Sequence, residues 1–266
     1  MNFDIFNIIK ENRKEELSSL LQEFGKLRLL SECAQFLDKR AFITIDLQGN
    51  IKRKINNFIL PTFAFFNDET LLIDEIFKAC DLKEKQNLDK IERFSSLDIE
   101  KVKFNFIKTL FNGNLEFSKK YGKELFLRDR ESFFKTISNF ALIGNSSDKP
   151  LMVLALKKLM TSYDDNIFYL FIAYMTKYRD NTDIYENIVI ENKDLSIEDL
   201  KITLKNNSSL LNSLEGLKLL TTLTLLEEIE VDNRERALEK INFEITNIKN
   251  YTPLNFVEKE LLKIFL

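Results

Sequence analysis

The chain has 266 residues, of which 44% are hydrophobic and 30% charged, and its formal net charge is −3. This composition is typical of a globular protein with a sizeable core, and the slightly acidic balance argues against a dedicated DNA-binding domain, whose footprint is basic. The sequence contains no histidine, which excludes Ser-His-Asp and Cys-His triads, HExxH metal sites and di-iron sites built on Glu-x-x-His.

Turn-forming residues are scarce, because the chain has only 6 Gly and 3 Pro. A β-sandwich or barrel needs many turns, whereas few breakers favour long helices with short connections. We therefore predict a mainly α fold of antiparallel helical hairpins, packed as an α-α superhelix or an irregular bundle, with a small β-hairpin or short sheet near residues 41–66.

Composition and local patterns also set expectations for location and cofactors. Two cysteines are too few for an extracellular disulfide framework, so a cytoplasmic protein is expected. The first residues show no signal-peptide pattern, and the strongest apolar run, Ile167 to Met175, is about half of a membrane span. We recognise no glycine-rich phosphate loop and no metal cluster, so no catalytic residue, metal or cofactor is predicted. Residues with AT-rich codons dominate, which suggests a bacterial or phage source.

The first segment, residues 3–38, has apolar residues at helical spacing. This pattern predicts a helix, with Gly25 at a bend or at a change of helix.

Residues 41–66 are the part of the sequence with strand character. The segment AFITIDLQGNIKRKI alternates between apolar and polar residues and predicts a hairpin. A loop of Gln48, Gly49 and Asn50 would set Ile45 opposite Arg53, with Asn50 in the left-handed conformation. The following FILPTFAFF is predicted as a third strand, with Pro61 at its start or on an edge.

From residue 68 onward the pattern is helical almost to the end, and SSLD at 95–98 is a capping signature. Ser196 with Asp199 marks a second helix start, and NGN at 112–114 interrupts the pattern. We place a domain boundary near residue 95, where no linker-like segment marks it. It separates a mixed α/β region, 1–95, from an all-helical array, 96–266. One continuous core for both regions is the alternative.

A short motif, MTxYxDN, occurs twice, fifteen residues apart. The helix between the copies, 166–179, is apolar around its circumference, which predicts a helix buried on all sides. Tyr169 and Tyr174 are interpreted as core residues whose hydroxyls find a partner. We interpret Asp164–Asn166 and Asp180–Asn181 as helix caps rather than metal ligands.

Three basic residues on the predicted hairpin suggest a nucleic-acid site. Lys52, Arg53 and Lys54 lie near Phe58, and basic residues interleaved with aromatic ones can bind single-stranded nucleic acid. The alternative interpretation is that these charges protect an edge strand above a buried aromatic face.

The segment DIYENIVIENKD, 183–194, contains Asp183, Glu191 and Lys193. It resembles the catalytic core of the PD-(D/E)xK nucleases, and this resemblance implies two carboxylates that hold Mg²⁺ and a lysine that orients a water. The alternative is a helix end followed by a polar loop.

The last predicted helix, TPLNFVEKELLKIFL, presents Phe256, Leu261 and Phe265. These apolar residues either dock on the rest of the protein or bind a partner helix or groove. The resulting hypothesis is a non-enzymatic protein–protein interaction module, an adaptor, scaffold or regulator. A nucleic-acid-associated protein and a metal-dependent nuclease are the alternatives.

Overall fold

The computed structural model describes residues 4–40, 42–46, 48–54, 57–84, 94–177, 180–191 and 194–266. Within these residues the chain forms fifteen α-helices and two four-residue strands. The prediction of a mainly helical chain is confirmed.

The first eight helices are α1 (Ile5–Lys10), α2 (Lys14–Cys33), α3 (Ile59–Phe65), α4 (Glu69–Ala79), α5 (Ile99–Phe111), α6 (Leu115–Arg128), α7 (Arg130–Ile143) and α8 (Lys149–Leu159). The remaining helices are α9 (Asp165–Lys177), α10 (Asp183–Asn187), α11 (Ile197–Asn206), α12 (Ser208–Leu211), α13 (Leu214–Glu228), α14 (Arg234–Asn247) and α15 (Phe256–Phe265).

The chain divides into two compact units, each built from two separate stretches of sequence. Unit 1 comprises Met1–Leu127 and Ala155–Tyr178, and unit 2 comprises Arg128–Leu154 and Arg179–Leu266. The boundary near residue 95 rests on composition rather than on packing and stays a prediction.

Unit 1 has α9 in its core. From Ile167 to Thr176 every residue except the half-buried Tyr169 is buried, and α9 packs against α2, α5 and the 3-10 turn Ala34–Phe36. The hydroxyl of Tyr174 donates a hydrogen bond to Asn57 Oδ1 at 2.8 Å. These observations confirm that α9 is a core helix and that Tyr174 is a core tyrosine with a polar partner, whereas Tyr169, also predicted as a core residue, is only half-buried.

The two copies of the repeated motif have different structural roles. Asp164 Oδ1 accepts hydrogen bonds from the backbone amides of Asn166 and Ile167, each at 2.9 Å, and so caps α9 as predicted. Asn181 Oδ1 accepts from the amide of Asp183 at the start of α10. The prediction was wrong for Asp180, whose carboxylate instead pairs with Lys149, because a largely buried lysine needs a counter-charge.

The segment before α3 contains strands β1 (Phe42–Ile45) and β2 (Ile51–Lys54), which pair antiparallel. Ile45 pairs with Ile51, and Ile43 pairs with Arg53, so the predicted register was wrong by two residues. The cause is the turn: Gly49, with φ of +82°, has the left-handed conformation expected of Asn50. The amide of Asp46 donates to the carbonyl of Asn50, which closes the loop one residue earlier.

The segment FILPTFAFF forms helix α3 and not a third strand. All residues from Ile59 to Ala64 are buried. A segment buried on every side has no polar face, so its periodicity does not distinguish strand from helix. Pro61 lies in the first turn of α3, where its missing N–H costs no helical hydrogen bond.

Unit 2 is arranged around α13, in which Leu217, Leu220 and Leu223 are among the many buried residues. Helices α11, α12, α14 and α15 pack against α13. The predicted start of α11 is confirmed: Ser196 and Asp199 form a reciprocal capping box. None of the helices in the described ranges is both long enough and apolar enough to cross a bilayer.

Candidate interaction surface

Helix α5 is firmly anchored in unit 1. Its first turn is capped by Asp98, whose carboxylate accepts from the amide of Lys101 at 2.9 Å. Val102, Phe106 and Leu110, four residues apart, face the core and are buried. The helix therefore presents its opposite side in a defined orientation.

The turn after α5 fixes the position of its last residue. The amide of Asn114 donates to the carbonyl of Thr109, and that of Gly113 to the carbonyl of Leu110. This pair of bonds is a Schellman motif, in which Gly113, with φ of +64°, provides the left-handed residue. Asn114 then begins α6 by accepting from the amide of Phe117. The helix break predicted at NGN is confirmed.

The outward side of α5 carries two lysines and two phenylalanines in alternation, and we call this set the Lys–Phe stripe: Lys101, Phe104, Lys108 and Phe111. All four are exposed, and 64% of Phe104 and 46% of Phe111 is accessible. At 100° per residue, the four positions lie within about 80° of the helix circumference. Large aromatic residues on a well-packed helix are therefore held in contact with solvent.

Helix α6 packs closely on α5. A Cβ atom at Gly122 would lie 2.8 Å from Cε2 of Phe106, so the Phe106 ring rests on the backbone of α6. On α6, Phe117 is exposed and stacks with Tyr121, with ring centroids 6.3 Å apart. This pair adds aromatic surface beside the turn that ends the Lys–Phe stripe.

The charges around the Lys–Phe stripe are mixed. Among the residues that the structure describes, local ion pairs join Lys101 with Asp98 (3.3 Å), Lys103 with Glu100 (2.8 Å) and Lys120 with Glu116 (3.1 Å). Lys108 has no ion pair with any residue in the described ranges. Its ammonium group is therefore available to a carboxylate from outside.

The basic segment predicted for nucleic acid is only partly described. Lys52, Arg53 and Lys54 lie in β2, and the positions of their side chains are outside the described part of the structure. Phe58 is buried, with 8% of its surface accessible, and immediately precedes α3. The structure thus places the Phe58 ring in the core of unit 1.

Of the three residues predicted on the last helix, Leu261 and Phe265 lie on one side of α15, and Phe256 lies on another. Leu261 is fully buried, and α15 packs against α13. Phe265 is half-buried, whereas 67% of Phe256 is exposed. The structure therefore does not bring these three side chains together on one exposed surface.

The segment that resembles the PD-(D/E)xK nucleases begins with helix α10, and residues 188–191 after it have no regular secondary structure. Asp183 is the first residue of α10, and Glu191 is exposed on a segment that is neither helix nor strand. Lys193 lies outside the described residues. In the ranges that the structure describes, no group of three acidic or cysteine side chains is arranged to hold a metal ion.

Unit 2 contains a second notable set of side chains, the buried charge cluster. Its members are Asp148, Lys149, Asp180, Lys218, Lys240 and Glu244. No side chain in the cluster is more than 16% exposed. Lys149 Nζ lies 2.8 Å from Asp180 Oδ2, and Lys218 Nζ lies 3.4 Å from Asp148 Oδ1.

The buried charge cluster holds the loop before α8. Lys240 donates to the backbone carbonyls of Leu142 and Gly144, and Glu244 accepts from the amide of Ser146 at 2.8 Å. Burial raises the pKa of Glu244 and lowers the pKa of Lys240. Because these groups are engaged with the backbone of their own unit, we interpret the cluster as structural.

The two cysteines provide no activated nucleophile. Burial raises the pKa of the Cys80 thiol to about 12, and it also raises the pKa of Cys33. A reactive cysteine needs the thiolate form, which these environments disfavour.

We expect the folded protein to resist alkylation at both cysteines. At pH 8, iodoacetamide should modify Cys80 on the order of 100- to 1,000-fold more slowly than a free cysteine, since little thiolate is present. Mass spectrometry over time, with and without urea, measures this difference. Rapid labelling of Cys80 in the native protein would contradict its raised pKa.

The chain matches no protein-family model, and neither a curated protein nor a solved structure is significantly similar to it.

Proposed function

We propose that the chain is a non-enzymatic protein–protein interaction module, an adaptor, scaffold or regulator built on packed helical hairpins. The observation that carries this proposal is the Lys–Phe stripe of α5. Exposed aromatic residues that cluster on one face are typical of protein interfaces, in which Phe and Tyr are enriched.

The exposed area is large enough to matter for binding. A phenylalanine side chain buries roughly 150–250 Å² when it is fully covered, and about half of that area is accessible at Phe104 and Phe111. At about 25 cal/mol per Å², covering both rings would contribute about 5 kcal/mol before the costs of association. That contribution is in the range of an interface hot spot.

The rigidity of α5 also favours binding. The Asp98 cap, the buried Phe106 and the Schellman motif at Gly113 hold the helix at both ends and along its inner face. A surface that is already ordered loses little conformational entropy when a partner binds.

A capture experiment tests the proposal. Biotinylated protein is incubated with lysate of the native host, and retained proteins are identified by mass spectrometry. We expect wild type to retain at least one specific protein, and the double variant Phe104→Ala with Phe111→Ala to lose it, because the variant removes the aromatic contact.

The matched control is Phe243→Ala, which removes a similarly exposed phenylalanine (42% accessible) from α14. This variant should retain the same partner as wild type. If wild type captures no specific protein, or if the α5 double variant captures it equally well, the proposed function is wrong.

A further inference from the structure

The spacing of the Lys–Phe stripe matches one side of a helix–helix contact. Steps of three, four and three residues separate its members, as along the seam of a coiled coil. Residues seven apart are separated by about 10.5 Å along the axis and by only about 20° around it. Phe104 and Phe111 therefore form one row, and Lys101 and Lys108 form a parallel row beside it.

Two parallel rows of this kind select a helical ligand. An amphipathic helix repeats its side chains with the same period, so apolar residues seven apart can meet both phenylalanines while flanking residues meet both lysines. Helix α5 has 13 residues, about 20 Å at 1.5 Å per residue, so it can contact a partner over almost two heptads.

The positive charge of the lysine row determines which charge the ligand should carry beside its apolar residues. The ammonium group of Lys108 has no ion pair with the described residues, and Lys101 shares only an exposed contact with Asp98. Glutamate or aspartate on the partner would complement both lysines, whereas lysine or arginine would be repelled.

The carboxylates near the Lys–Phe stripe disfavour the binding of nucleic acid. Asp98, Glu100 and Glu116 lie at the start of α5 and on the first turn of α6, and the whole chain carries a net charge of −3. A phosphate backbone laid along α5 carries a charge at every nucleotide and would meet these carboxylates, whereas a helical ligand presents a given flanking position only once per heptad, beside the lysine row.

We propose that the Lys–Phe stripe of α5 is the docking site for an acidic amphipathic helix of a partner protein. This inference rests on the proposed function and specifies the chemistry of the partner.

Synthetic peptides provide the test. Three fluorescein-labelled helical peptides of about three heptads differ only in the residues of their seam and of the positions that flank it. The first has a leucine seam flanked by glutamates, the second has a leucine seam flanked by lysines, and the third has a serine seam flanked by glutamates. Fluorescence anisotropy is used to measure binding to the full chain. We expect the first peptide to bind wild type at least 10-fold more tightly than either of the others.

Charge reversal on α5 makes the test specific. The variant Lys101→Glu with Lys108→Glu should invert the preference and favour the lysine-flanked peptide. Phe104→Ala with Phe111→Ala should weaken binding of the acidic peptide at least 10-fold. Lys259→Glu, an exposed lysine of α15, should behave as wild type. Circular dichroism of each variant shows whether its helices are intact.

Several outcomes would overturn the inference. These are no binding of the acidic peptide, equal binding of acidic and basic peptides, or salt-sensitive binding of a fluorescent thymidine oligonucleotide that is lost in the charge-reversal variant. If the lysate experiment yields a partner that depends on Phe104 and Phe111 while the acidic peptide fails, the proposed function stands and the partner's chemistry is different.

Discussion

Replacement of Asp180 by alanine is expected to lower the free energy of unfolding by about 3–5 kcal/mol. Asp180 Oδ2 lies 2.8 Å from Lys149 Nζ and accepts from Ser147 Oγ at the same distance. The side chain of Lys149 is only 8% exposed, so the alanine variant leaves a positive charge with neither its counter-ion nor water. Urea unfolding followed by circular dichroism measures the loss.

Two further variants distinguish destabilisation by an unpaired buried charge from destabilisation by any substitution. Glu227→Ala removes a more exposed ion pair with Lys201 and should cost about 0.2–1 kcal/mol. The double variant Lys149→Met with Asp180→Leu leaves no unpaired charge and should be more stable than Asp180→Ala. A free energy of unfolding of Asp180→Ala within about 1 kcal/mol of the wild-type value would be the effect expected of a surface ion pair. In that case the buried pair is not essential for stability.

Replacement of Gly216 by alanine is the second large effect that we expect, with a loss of about 3 kcal/mol or more. A Cβ at Gly216 would lie 2.1 Å from the carbonyl oxygen of Leu210 and 2.8 Å from that of Leu211. These are backbone atoms, so relief requires a shift of α12 or α13. Helix propensity alone predicts the opposite sign, since alanine favours a helix over glycine by about 1 kcal/mol.

A second glycine variant shows how much stability is lost when only the backbone conformation, and not packing, opposes the added methyl group. At Gly25 nothing lies within 4 Å of the added Cβ, but φ is +78°. Gly25→Ala should therefore cost about 1–2 kcal/mol through backbone strain alone. Thermal and urea unfolding of both variants gives the comparison. A Gly216→Ala protein as stable as wild type would contradict the close contact between α12 and α13.

The candidate interaction surface shows why a binding face is hard to predict from one sequence. Helix α5 has two apolar series: Val102, Phe106 and Leu110 are buried, whereas Phe104 and Phe111 are exposed. Both series follow helical spacing, and composition does not distinguish them. The packing of Phe106 against Gly122 of α6 decides which series faces the core. The available sequence signal was the presence of lysines beside the second series.

A similar ambiguity affects the last helix. The sequence shows a strongly apolar α15, but not which of its residues face α13. Packing buries Leu261 completely and leaves Phe256 exposed. Residues that a sequence pattern groups together are thereby separated onto different faces.

Local chemistry in the sequence was sufficient for several features. The scarcity of glycine and proline and the helical periodicity predict the mainly helical chain. The capping signature SSLD predicts a helix start near 95–98, although the structure uses Asp98 rather than Ser95 as the cap of α5, and the Ser196–Asp199 pair predicts the start of α11. Such caps are predictable because they act through backbone amides only two or three residues away. The apolar circumference of α9 predicts its burial.

Only the tertiary structure decided the features that depend on distant residues. Asp180 pairs with Lys149, 31 positions away, instead of capping a helix, and α3 is helical although its buried sequence fits a strand equally well. Likewise, α5 exposes one of its two apolar series. In each case local preferences are similar for both alternatives, so the burial of charge and the packing of side chains from remote segments determine the outcome.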